Sequence, residues 1–190
     1  EIPLRLVGSE MCIRDRLFPI QLTAHNEIWQ DYYEKMKKSV EQALSDCSIV
    51  RISHIGSTAI NGIWAKPIVD ILVEIEENED IKKAAAFIQS IGFIPMSTGP
   101  NRISLNLGYT EKGFAEKVYH LHIRRKGDND ELYFRDYLNE FPETAKLYEQ
   151  LKLSLWKQYE HNRDGYTNAK TKFVNKYTEE AKAKYLDRYN

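Results

Sequence analysis

Ile28, Tyr32, Met36, Val40 and Leu44 recur at the spacing of one helix face, and Thr23 is placed to cap that helix. The period then shortens. Ile49 to Ile55 and Pro67 to Ile75 read as strands, with "GSTAINGIWAK" between them as a turn. In the second strand, alternation puts Asp70, Leu72 and Glu74 on one face and Ile71, Val73 and Ile75 toward the core. The acidic cluster Glu76, Glu77, Glu79 and Asp80 suits the start of a helix from about Ile81 to Ile91, which Gly92 stops. "RISLNLGYTEKGFAEKVYHLHIRR" predicts two strands around a loop containing Gly113, with Val118, His120, His122 and Arg124 on one face. After "KGDND" three helices are predicted: Leu132 to Phe141, Pro142 to about Glu160, and Asp164 to Tyr185. The predicted class is α+β, a mixed β-sheet flanked by helices with a C-terminal helical layer.

The chain has 190 residues, 42% of them hydrophobic, enough for the core of one structural unit. Within it, residues 17–127 read as an α/β core and 128–190 as a helical region packed on that core. Residues 1–16 share no period with the rest and read as a non-native or disordered leader, so the Gly8-Ser9 pair is discounted. Cys12 and Cys47 are too far apart for a zinc or redox pair. Lys and Arg number 27 against 28 acidic residues, so a nucleic-acid partner is not expected. No apolar run reaches the roughly 20 residues of a membrane span. A cytoplasmic protein without membrane contact is expected.

Two features carry chemistry. Gly56-Ser57 ends a strand in a turn whose backbone N–H groups and hydroxyl suit an anionic phosphate. Asp70 interrupts an apolar strand, where an ionised carboxylate is costly unless a metal or a donor meets it. Positions two apart in a strand lie about 6.6 Å apart, whereas Asp70 and Glu74 lie about 13 Å apart, so Glu74 is a poor second ligand and is expected to be solvated at the strand end. His120 and His122 share a face and could join Asp70 in a metal site that favours zinc, manganese or iron over magnesium. His54 precedes the turn and could orient it or touch a phosphate. Arg135 lies off its helix's aromatic face, placed to pair with Asp136 or to reach the cleft. Lys170 falls within the stripe of Tyr166, Phe173 and Tyr177, and Lys152 between Tyr148 and Trp156; a lysine there snorkels out or meets an anion.

"HIGSTAINGIWAKPIVDILVEI", "YHLHI", "LYFRDYLNEFPETAKLYEQLK" and "YTNAKTKFV" together resemble the GrpB (UPF0157-like) family, a branch of the nucleotidyltransferase fold. The likeness runs in order from about Ile20 onward. It implies a nucleotidyltransferase-like sheet and an enzyme that moves a nucleotidyl group from a nucleoside triphosphate to a small-molecule acceptor, using Mg2+ or Mn2+. By the same resemblance Asp70, Ser57 and Lys66 are the catalytic candidates. The candidates for nucleotide or phosphate are Gly56, Ser57, His54, Lys66, Arg135, Lys152, Tyr166 and Lys170; those for metal are Asp70, by the resemblance, and His122 and His120, by their shared strand face. One departure stands out: the superfamily's second carboxylate would fall at Leu72. Two alternatives therefore stay open: a binding module that has lost catalysis, or a histidine/carboxylate metal-dependent hydrolase or ligase.

Overall fold

In a computed structural model, residues 17–189 are described; the leader, with Gly8, Ser9 and Cys12, lies outside them. The order is α1 (Ile28–Ala43), β1 (Ile49–Ile55), a 3-10 turn (Ser57–Ala59), β2 (Val69–Ile75), α2 (Ile81–Ser90), β3 (Ile94–Thr98), β4 (Arg102–Thr110), β5 (Gly113–Arg125), α3 (Asp130–Glu140), α4 (Pro142–Trp156) and α5 (Arg163–Tyr185). The strands form one sheet in the order β1-β2-β5-β4-β3. Only β2 and β5 are parallel, so the sheet is mixed and the class α+β, as expected.

β2 and β5 are the central strands, and each buries one face on each side of the sheet. Ile71, Val73 and Ile75 with Leu121 and Ile123 form a core with α1 and α2. The opposite face carries Asp70, Leu72 and Glu74 beside His120, His122 and Arg124, in direct register. α3, α4 and α5 belong to that second side. Phe134, Leu138, Ala145 and Tyr148 pack with Ile60 and Ile63 of the loop after β1, and with Phe173 and Tyr177.

Four expectations are corrected. Thr23 does not cap a helix; it bridges Ala65 through paired backbone hydrogen bonds of 2.9 Å, and α1 begins at Ile28. The expected stripe holds at Val40 and Leu44, which are fully buried, but in the first half of α1 Trp29 and Tyr33 take the buried places and Ile28 is exposed. β3 was not predicted: it is an edge strand, mostly exposed and containing Pro95, so no apolar alternation marks it. Glu74 is not solvated but fully buried, because residues 125–129 fold back over the end of β2. There Arg51 Nε lies 2.8 Å from Glu74 Oε2, while the Gly127 N–H and Asn129 Nδ2 donate to Oε1 at 3.1 and 2.9 Å. The acidic cluster does start α2, where the Asp80 carboxylate accepts from the N–H groups of Lys82 and Lys83.

Candidate functional site

Asp70 lies opposite His120 in the β2–β5 register, one position from the end of β2. His120 Nδ1 is 3.1 Å and His122 Nε2 3.7 Å from Asp70 Oδ1. One ligand atom from each of the three falls within 4.8 Å of the others, a spacing that one metal ion could bridge. The remaining ring nitrogens are also held: His122 Nδ1 is 3.1 Å from Ser104 Oγ and His120 Nε2 2.9 Å from Tyr109 Oη. Histidine ligands are commonly oriented this way, through a partner on the far nitrogen. Burial alone would raise the Asp70 carboxyl, but its hydrogen bonds to His120 and His122 hold it below the ordinary carboxylate range.

Tyr109 reaches His120 only because of a bulge. Asn106 pairs with His120 and Leu107 with Tyr119, after which the register slips across Gly108. From there to the Tyr109–Phe114 pair β4 advances two residues and β5 five, and this irregularity lets Tyr109 lie on the Asp70 face instead of the core face. Glycine is required there: φ is +93°, and a Cβ would come within 2.3 Å of the Lys117 carbonyl.

Gly56 forms the opposite wall. Its φ is +72°, and a Cβ would lie 2.3 Å from Asp70 Oδ2, so the turn closes directly on the carboxylate. Gly56→Ala should therefore cost about 1–3 kcal/mol by forcing a left-handed alanine against Asp70, and should weaken metal binding as well. Urea denaturation and a Mn2+ titration would measure the two effects.

A cleft of about 950 Å³ opens over this face. Gly56, Ser57, Lys66, Asp70, His120, His122, Arg135, Lys152, Tyr166 and Lys170 all border it. Lys152 is almost fully buried and donates to the Trp64 carbonyl. Lys66 and Lys170 flank the Tyr166 ring, their ammonium groups 4.8 and 4.1 Å from its centroid, and the Tyr166 hydroxyl is buried without a hydrogen-bond partner. None of the three lysines has a carboxylate within ion-pair distance among the described residues. Burial, then repulsion from Lys170 and Arg163, brings Lys66 down to about 7. Burial, then Lys170, does the same for Lys152, and burial lowers Lys170 to about 8.

Two candidates are tied elsewhere. His54 pairs with Ile71 across β1 and β2, which turns it to the α1 side. There it stacks on Tyr33 and its ring nitrogens contact Gln30 and Thr58, and burial lowers it to about 4. Arg135 borders the cleft, but its guanidinium donates to Asp136, the His54 carbonyl and the Tyr189 hydroxyl. Leu72, where the sequence resemblance would put a second carboxylate, is sealed in a cluster with Ile55 and Leu132. Tyr109, Tyr148 and Arg163 went unnoticed in the sequence. Burial raises Tyr148 to about 12 against an opposing hydrogen bond with Ser57. Gly108 inside a strand was the available signal for Tyr109; nothing local marked the other two.

Comparison with known proteins agrees with the resemblance. The GrpB protein family matches residues 19–180. The glutamate-rich protein GrpB of Alkalihalophilus pseudofirmus is 35% identical over 162 residues, covering 80% of this chain and 90% of that protein. The UPF0157 protein YqkA of Bacillus subtilis is 30% identical over 86% of this chain, which spans only 47% of that longer protein. The crystal structure of GrpB from Enterococcus faecalis superposes with a TM-score of 0.73 at 29% identity, over 87% of this chain and 99% of that one. Polymerase beta of Leishmania infantum, in a ternary gap complex, gives a TM-score of 0.40 at 11% identity over 70% of this chain and 47% of that one, too slight for an argument about function. No helix among the described residues is long and apolar enough to cross a membrane. With the family match covering most of its length, the chain belongs to the GrpB family.

Proposed function

We propose that this chain binds a nucleoside triphosphate in the cleft beside one divalent ion and transfers its nucleotidyl group to a small acceptor. The observation that carries the reading is three cleft lysines without carboxylate partners among the described residues, in the cleft that Asp70, His120 and His122 also line. Cations crowded together at a cost in burial and repulsion are relieved by a polyanion. In this reading Gly56 and Ser57 cradle a phosphate, and Lys66, Lys152 and Lys170 neutralise charge on the departing pyrophosphate. Asp70, His120 and His122 would hold the ion; two imidazoles with one carboxylate fit Mn2+ or Zn2+ better than Mg2+. With an ion bound, the site supplies Lewis-acid neutralisation at the phosphoryl oxygens. Leu72 favours a single ion over a pair, and a binding module without turnover is the second reading.

Calorimetric titration with ATP and Mn2+ tests the proposal. Lys152 and Lys170 have folded values of about 7 and about 8, below their ordinary 10.5. The unfolded chain therefore binds more protons above pH 7, and the unliganded protein gains stability as pH rises from about 7 toward 10. A triphosphate favours the protonated lysines, so its binding takes up protons and weakens as pH climbs from 7 to 9. Binding without proton uptake, or none at all, would defeat the reading. Binding without pyrophosphate release in the presence of candidate acceptors would favour the second.

A further inference from the structure

Behind the cleft lies a second cavity of about 190 Å³. Phe18, Ile20, Phe114 and Val118 give it apolar walls, and Lys66, Ile68 and Arg163 line both it and the cleft. The boundary between the two spaces is thus built from two cations and an isoleucine two residues before Asp70. The one carboxylate on the cavity lining, Glu116, is exposed.

The wall is continuous with the metal-ligand set. Phe18, Phe114 and Tyr109 pack in a ring trio with centroids 4.8 to 5.1 Å apart. Arg163 Nη2 donates to the Tyr109 hydroxyl at 2.7 Å, and that hydroxyl is 2.9 Å from His120 Nε2. A ligand in the cavity would therefore have its body against Phe18 and Phe114 and one end beside Lys66 and Arg163, at the boundary with the cleft that Asp70 lines.

We infer that this cavity is the subsite for the second substrate, and that it takes a small monocarboxylate with a compact apolar body. Size sets the first limit: the volume equals about six waters at roughly 30 Å³ each, too little for a nucleoside. Charge sets the second. Lys66 has no hydrogen-bond or ion-pair partner among the described residues, and a carboxylate at the boundary would give it one while also meeting Arg163. The apolar walls exclude a second charge on the body of the ligand. The inference rests on the cleft holding the nucleotide, since only then does the carboxylate end meet the other substrate.

Benzoate and its neutral analogue benzamide are suitable probes, titrated by ligand-observed NMR into the full chain with and without saturating ATP and Mn2+. The expected result is saturable benzoate binding, at least tenfold tighter than benzamide, that persists when ATP is bound. Ala115→Trp, which fills the cavity from an exposed position, should abolish benzoate binding and leave ATP affinity and the melting temperature unchanged. Lys66→Met should weaken benzoate without affecting benzamide. Competition between benzoate and ATP would overturn the inference, because it would place the acid in the phosphate cleft. Equal affinity for benzamide, full benzoate binding by Ala115→Trp, or no benzoate binding would also overturn it. If benzoate binds as described but ATP does not, the cavity stands as a carboxylate site and the nucleotide reading of the cleft falls instead.

Discussion

Replacing Asp70 by asparagine should remove Mn2+ binding while the fold persists. The isosteric amide can still hydrogen-bond to His120 but removes the one carboxylate from a candidate site whose other two members are histidines. The loss of affinity should be at least about 100-fold, the upper end of what removal of an outer partner of a metal ligand costs. Nucleotidyl transfer should fall by roughly 10²–10³, as when one preorganised charge-stabilising group is deleted. ATP binding without metal should survive, because Lys66, Lys152 and Lys170 remain and the Asp70 charge that acts on Lys66 and Lys170 has gone. Mn2+ calorimetry, a pyrophosphate-release assay and an ATP titration on the same variant would separate these effects. Unchanged Mn2+ affinity would remove Asp70 from the metal site.

The second large effect concerns Leu72, where the resemblance read in the sequence would put a second carboxylate. Leu72→Asp should not restore a two-metal site; it should destabilise the protein by about 3–5 kcal/mol, the range for an uncompensated buried charge. Leu72 is fully buried and packs with Ile55 and Leu132, and the ring nitrogens of His122, its register partner, are already taken up by Ser104 and Asp70. Set against total stabilities of about 5–15 kcal/mol, that is a large fraction. Urea denaturation would show the loss as a shift in midpoint, and Leu72→Met, which keeps the volume, should cost less than about 1.5 kcal/mol. A stable aspartate variant that binds two Mn2+ ions would show the position to be open to the cleft.

These outcomes bear on how evenly the site is built. One side of the Asp70 face is polar and open: the histidines, the Gly56 turn and the lysines of α4 and α5. A few residues along β2 the same face is closed by Leu132 of α3 and then by the buried Glu74–Arg51 pair. The C-terminal helices thus do two things, delivering Lys152, Tyr166 and Lys170 to the cleft and sealing the rest of the strand.

The sequence alone determined whatever depends on local period and local chemistry. Alternation in β2 and β5 placed Asp70 with Leu72 and Glu74, and His120 with His122, because side chains in a strand must alternate faces. The spacing of lysines among aromatics singled out Lys152 and Lys170 as residues that snorkel out or meet an anion, and both border the cleft. The resemblance carried the family. Tertiary structure decided what depends on pairing and on distant chain. The β1–β2 register sent His54 to the α1 side, and the register break between Leu107 and Tyr109 put Tyr109 on the Asp70 face. Strand pairing and bulges are set between segments, so no window of sequence contains them. Glu74 makes the same point from the energetic side: its partners are Arg51, Gly127 and Asn129, and only their convergence makes a buried carboxylate tolerable.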